Sequence, residues 1–126
     1  MGIWITIALE YLICPVLMTA SGYLTQKHPP REINGLYGYR TTRSSKSQEA
    51  WDFSQRYSAK LYVKWGRILT AVSLILFLVL MGLGAETASI AGTFVCLVQI
   101  VFLILPIPFV ERALKENFDR NGNPTA

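Results

Sequence analysis

Two apolar stretches, separated by only two residues, decide the fold: ILTAVSLILFLVLMGLGA at residues 68–85 and ASIAGTFVCLVQIVFLILPIPFV at residues 88–110. They are 18 and 23 residues long, and neither contains Asp, Glu, Lys or Arg. At a rise of about 1.5 Å per residue, a helix of either length covers most or all of a hydrocarbon core about 30 Å thick. Because hydrocarbon offers the backbone no hydrogen-bond partner, both segments are predicted to be helices.

A third apolar segment lies towards the N-terminus, at residues 3–24, and its only charged residue is Glu10. We expect a retained helix rather than a signal peptide, because no Lys or Arg precedes it and it exceeds the usual apolar core of about 7–15 residues. Charged residues make up 16% of the chain, against about 25% in ordinary soluble domains. The alternative is a very hydrophobic soluble helical domain. The predicted fold is therefore all-α: one integral membrane domain, residues 1–126, with three transmembrane helices.

The polar residues are concentrated between the first two spans, in residues 25–67. This basic loop holds nine of the twelve Lys and Arg residues against three acids, a net charge of +6. Cytoplasmic loops carry an excess of Lys and Arg, so the basic loop is predicted to be cytoplasmic. Three spans then place the N-terminus outside and the tail, residues 111–126, inside.

Part of the basic loop has a helical pattern. Ser45-x-x-Gln48 resembles a capping box, and aromatic residues recur from Trp51 to Trp65 with lysines on the other side. Such a helix suits the headgroup region, so an amphipathic juxtamembrane helix is expected. Whether it continues into the second span or bends at Gly66 is open. Pro106-x-Pro108 predicts a kink or an end to the third helix.

Glu10 is the first candidate for chemistry, because a charged residue inside a span marks a bundle-facing or functional site by default. Gln99 and Ser73 are its candidate partners on other helices. One interpretation is a structural hydrogen bond between helices, and the other is a proton-coupled role, which Glu10→Gln would test. A homo-oligomer would also hide Glu10 and Gln99, and Ala88-x-x-x-Gly92 permits close helix approach.

The second candidate is the segment YGYRTTRSSKS at residues 37–47, which combines Arg40, Arg43 and Lys46 with five Ser and Thr hydroxyl groups. These groups, placed before a helix N-terminus, are typical of a phosphate or carboxylate site. Two alternatives are a loop lying on anionic lipid, and a structural motif in which Asn34, Arg40 and Trp51 fix the loop against the bundle.

Other kinds of site have little support in the sequence. Cys14, Cys96 and the single histidine, His28, lack metal-ligand spacing, so no metal or cofactor is predicted. Nucleophile–base pairs and nucleic-acid-binding signatures are also missing, so no catalytic residue and no nucleic-acid partner are predicted.

The motif around the second candidate resembles the signature of the SdpI/YfhL family of bacterial membrane proteins. The matching residues are Pro30, Ile33-Asn34, Gly38-Tyr39-Arg40-Thr41, Ser44, Ser47 and Glu49-Ala50-Trp51. The ending Leu114-Lys115-x-x-Phe118-Asp119-x-x-Gly122 is similar to the C-terminal end of that family. The resemblance extends over about residues 30–123.

This resemblance implies a non-enzymatic, multi-span protein of the bacterial cytoplasmic membrane that acts in toxin immunity or membrane signalling through a conformationally sensitive basic loop. It suggests a secreted killing peptide and a cytoplasmic protein as partners, and the chain resembles the C-terminal three-span half of the founding member. The signature positions are Asn34, Gly38, Tyr39, Arg40, Thr41, Ser44 and Trp51, and with Arg43 they form the predicted ligand- or partner-binding site. The alternative function is a binding module for an anionic lipid or lipid-linked phosphate at the cluster of Arg40, Arg43 and the Ser and Thr residues.

Overall fold

A computed structural model describes residues 2–36 and 38–125, and the described residues form four helices. They are α1 (Gly2–Lys27), α2 (Gln48–Met81), α3 (Ala85–Ile104) and α4 (Pro106–Asn117). These residues contain no strand, only an isolated β-bridge between Phe118 and Pro124. Three helical segments are long and apolar enough to cross a membrane: α1, α2 and the α3–α4 pair. The predicted all-α fold with three spans is confirmed.

The longest element is α2, which joins the predicted juxtamembrane helix and the second span into one helix of 34 residues. At about 1.5 Å per residue it is about 50 Å long, and about 30 Å of it precedes the apolar run that starts at Ile68. The capping box predicted at Ser45 is wrong, because the N-cap is Ser47, whose hydroxyl accepts from Ala50 N. Ser45 N donates instead to Thr41 O, which keeps Ser45 in the preceding turn.

Close packing of α1 on α2 depends on two glycines. A Cβ atom at Gly66 would lie 2.8 Å from Thr19 N, and one at Gly22 would lie 2.8 Å from Val63 N. The residue numbers rise along one helix as they fall along the other, so the two helices are antiparallel. Small residues let backbones approach, which is how helices associate where lipid removes the hydrophobic driving force.

The first turns of α3 pack on α1 in a similar way. Tyr11 donates a 2.7 Å hydrogen bond to Ala88 O, and a Cβ at Gly92 would lie 2.9 Å from the Tyr11 ring. Ala88 is completely buried. The small-residue pair Ala88 and Gly92, which suggested an oligomer contact, is therefore used within one chain.

The predicted break at Pro106 is confirmed, since α3 ends at Ile104 and α4 begins with Pro106. The predicted third span, residues 88–110, thus comprises most of α3 and the start of α4. Val110 and Leu114 of α4 are fully buried, and Phe118 packs edge-on against Phe53 of α2, with ring centroids 5.5 Å apart. We call residues 28–67 together with α4 and the tail, residues 118–125, the polar cap.

We expect Gly66→Ala to lower the free energy of unfolding by about 1–3 kcal/mol, because the new methyl group meets backbone atoms of Thr19 that cannot rotate away. Thermal unfolding in detergent, followed by tryptophan fluorescence, measures the change. Gly2→Ala is the matched control, because no atom lies within 4 Å of its added Cβ. Equal unfolding midpoints for the two variants would contradict the close helix contact.

Candidate functional site

The loop backbone at the centre of the site is held by Gln55, a residue of α2. Its amide Nε2 donates to Tyr39 O at 2.6 Å, and its Oε1 accepts from Tyr39 N at 2.8 Å. Gly38 beside it has a φ of 94°, and a Cβ there would lie 2.6 Å from Gln55 Oε1. One side chain therefore satisfies both backbone groups of Tyr39, and the approach requires glycine at position 38.

Two further signature residues, Trp51 and Asn34, form hydrogen bonds that shape the loop. Trp51 is completely buried, and its Nε1 donates a 2.6 Å hydrogen bond to Pro30 O. The Asn34 side chain donates to Glu32 O and accepts from Leu36 N, the pattern of an Asx turn. Tyr37, the first residue of the predicted anion segment, lies outside the described residues.

The hydroxyl groups of Thr41 and Ser44 bond to each other's backbone. Thr41 N donates to Ser44 Oγ at 2.9 Å, and Ser44 N donates to Thr41 Oγ1 at 3.1 Å. Ser44 Oγ also donates to Thr41 O, and its residue is completely buried. The Ser44 hydroxyl therefore forms its hydrogen bonds within the turn that contains Arg43.

Glu111 of α4 joins the loop to the end of the third span. Its Oε1 accepts a 2.7 Å hydrogen bond from the Tyr39 hydroxyl, and its Oε2 accepts a 3.2 Å charged bond from Arg43 Nε. We call these contacts the Glu111 bridge. Burial raises the pKa of the Tyr39 hydroxyl well above its ordinary value, and the bond to Glu111 raises it further. Tyr39 thus stays protonated and remains a donor at physiological pH.

The structure separates Arg40 from Arg43, which the sequence placed in one cluster. Arg40 is exposed, donates to Gly35 O and lines a cavity of about 430 Å³ at the junction of the spans and the polar cap, which we call the junction cavity. Arg43 lines a different cavity with Lys46 and Arg120. Thr41 lies between the two cavities and contributes to both.

Glu10 lies between α1 and α3, whereas Gln99 of α3 contacts both α1 and α2, so each has its own partners. The Glu10 carboxylate accepts from Ser89 Oγ at 3.4 Å and from Thr93 Oγ1 at 3.2 Å. Gln99 Nε2 donates to Ser73 Oγ and to Tyr11 O, both at 2.8 Å. Gln99 and Ser73 are therefore wrong as partners of Glu10, because the face of α1 that carries Glu10 meets Ser89 and Thr93 of α3.

Sequence reasoning missed three residues that build the site. Gln55 could have been found, because it follows Trp51 by four residues and so shares its buried face of α2. Glu111 and Arg120 lie about 70 residues further along the chain than the loop residues they approach. Only the tertiary fold brings them to the loop, so no local signal predicts them.

The fold and the site together define a class: a helical integral membrane protein whose polar cap carries a tightly folded basic loop. Residues 31–110 match the SdpI/YfhL protein family, and this match covers more than half of the chain. The chain belongs to the SdpI/YfhL family, as its signature predicted.

One relative is the uncharacterized protein YfhL of Bacillus subtilis (strain 168), which is 42% identical over 60 residues. That alignment covers 48% of this chain and 54% of YfhL, so the chain matches about half the length of its relative. A search of solved structures finds no match. The evidence for the family therefore rests on sequence, and the geometry of the loop comes from this structure alone.

We expect Gln55→Leu to speed hydrogen exchange at the Tyr39 amide by about 30-fold or more. Loss of the Gln55 amide leaves the buried N–H and C=O of Tyr39 unpaired, which costs about 1–3 kcal/mol for each group. Exchange measured by mass spectrometry in detergent checks this. Gln26→Leu, on the exposed face at the end of α1, is the control and should leave the loop unchanged. Loop exchange that is the same in both variants would show that Gln55 does not hold the loop.

Proposed function

We propose that this protein is a non-enzymatic immunity or signalling protein of the bacterial cytoplasmic membrane, with the Glu111 bridge as its coupling element. Membership of the SdpI/YfhL family supports the membrane role. The finer proposal depends chiefly on one observation: a single carboxylate on α4 accepts from two residues of the basic loop, Tyr39 and Arg43.

The coupling follows from the position of α4. Only Leu105 separates it from α3, so a shift of the third span moves Glu111 directly. The pair formed by Arg43 and Glu111 is partly shielded from water, with 34% and 26% of their side chains exposed. Such a pair is worth about 1 kcal/mol, which is small enough for a ligand to break. The bridge is thus suited to switch between a closed and an open loop.

We place the polar cap in the cytoplasm and the link between α2 and α3 outside. The loop's net charge of +6 supports this orientation, because basic loops stay on the cytoplasmic side. A secreted killing peptide would then reach the outer ends of the helices, and a cytoplasmic protein would reach the basic loop. Neither contact requires a catalytic group.

We expect expression of the protein in a sensitive host to protect cells from a secreted killing peptide, and Glu111→Gln to weaken that protection. The loss of about 1 kcal/mol from the bridge shifts the loop equilibrium roughly fivefold. Survival curves over a toxin dilution series measure the shift, with membrane expression checked by immunoblot.

Glu116→Gln is the matched control. Glu116 also lies on α4 and pairs with Arg112 at 3.3 Å, but the two side chains are 64% and 82% exposed. This control should protect as well as the natural chain. If the natural chain protects against no killing peptide in the panel, the immunity function is refuted. If Glu111→Gln protects as well as Glu116→Gln, the coupling role of the bridge is refuted.

A second candidate function is supported by the junction cavity: binding of an anionic lipid or lipid-linked phosphate. Its polar lining includes Arg40, Thr41, Ser58 and the hydroxyl groups at the end of α1, whereas Leu103 and Ile107 supply apolar surface. A cation beside apolar residues, at the level where the spans end, matches the chemistry of a phosphate headgroup with an attached chain.

We expect native mass spectrometry of the protein in detergent to show a bound phospholipid that Arg40→Ala loses. Arg56→Ala is the control, because Arg56 is an exposed cation on α2 that does not line the cavity. Detection of no lipid on the natural chain, or equal retention by both variants, would contradict this second function.

A further inference from the structure

A second cavity of the polar cap, separate from the junction cavity, is lined only by polar side chains. Its volume is about 520 Å³. We call it the cationic basin, and its lining residues are Thr41, Thr42, Arg43, Lys46, Glu111 and Arg120. Three cations and two hydroxyl groups thus converge from the loop and the tail.

The tail is folded in a way that places Arg120 in the basin. Ser47 Oγ donates to Gly122 O at 2.5 Å, and Gly122 has a φ of 82°. A Cβ at Gly122 would lie 2.8 Å from Lys46 Cβ, so the tail lies directly on the residue before the N-cap of α2. Asp119 accepts from Asn121 N and Asn123 N, so its carboxylate closes the turn that carries Arg120.

The cations of the basin are available to a ligand. Within residues 2–36 and 38–125, Lys46 and Arg120 form no ion pair, and Arg43 bonds only through Nε. The one carboxylate in the basin, Glu111, is engaged at both oxygens by Tyr39 and Arg43. The basin carries a net charge of +2, and the terminal amino groups of Arg43 remain as donors.

The basin lies beside the N-terminus of α2 and beside the end of the third span. Glu111, one of its lining residues, directly follows Val110, the last residue of the predicted span. A soluble phosphate and a lipid headgroup can therefore both reach the basin, and the experiment below distinguishes these two sources.

We propose that the cationic basin binds a phosphate group, and that this phosphate competes with Glu111 for Arg43. A dianion matches the net charge, and the arginine fork and the threonine hydroxyls suit its oxygens. The competition rests on the proposed role of the Glu111 bridge, because phosphate bound to Arg43 weakens the contact between the loop and α4. Occupancy of the basin would thereby open the loop.

Calorimetric titration of the full chain in detergent with inorganic pyrophosphate, at constant ionic strength, tests the site. We expect saturable binding that Arg120→Gln weakens about tenfold, because it removes one of three cations. Lys115→Gln, an exposed cation of α4 outside the basin, is the control and should bind like the natural chain. No binding at about 10 mM pyrophosphate, or equal binding by the two variants, would overturn the proposal.

Two further measurements test where the phosphate comes from and whether it competes with Glu111. Vesicles containing phosphatidic acid distinguish the two sources: competition with pyrophosphate that Arg120→Gln abolishes assigns the phosphate to a lipid headgroup, and no competition assigns it to a soluble anion. Glu111→Gln should bind pyrophosphate about fivefold more tightly, because Arg43 loses its competitor. Unchanged affinity in that variant would overturn the competition while leaving the site intact. Binding is measured without toxin, so failure here is distinct from failure of the immunity assay.

Discussion

The structure depends on one constraint: α2 remains a single helix from the polar cap to the far end of its span. In hydrocarbon the backbone must satisfy its own hydrogen bonds, which fixes the apolar half of α2 as a helix. The polar half continues without a break through Gly66, where Thr19 of α1 packs too closely to allow a side chain. Each other part of the cap is attached to this extension.

The attachments to α2 explain why the loop is ordered although it contains little regular structure. Side chains donate hydrogen bonds to three backbone carbonyl groups: Trp51 to Pro30, Gln55 to Tyr39, and Ser47 to Gly122 in the tail. Each of these bonds lets a residue of α2, or its N-cap Ser47, satisfy a backbone group of a distant segment. The signature residues thus largely fold the loop, while Arg40 and Arg43 are the loop arginines that line cavities.

Much of the fold could be predicted because a bilayer imposes simple rules on composition and length. The three spans, the break at Pro106 and the family signature were all readable from local sequence. The predicted start of α2 was wrong, because Ser45 N donates to Thr41 O and Ser45 therefore lies in the preceding turn. The capping pattern in the sequence does not reveal this bond. The partners of Glu10 and the roles of Glu111 and Arg120 depend on how helices meet, and that information is distributed over the whole chain.

The central claim is that the first half of α2 projects out of the membrane and does not lie along its surface. Spin labels placed singly at Arg56, Lys60, Lys64, Val72 and Ile75, in a chain with Cys14 and Cys96 replaced by Ser, test it in lipid nanodiscs. We expect the first two labels to be accessible to a water-soluble relaxation agent and the last two to oxygen, with the change near Lys64. Labels at Arg56 and Lys60 that report headgroup depth would contradict an upright cap.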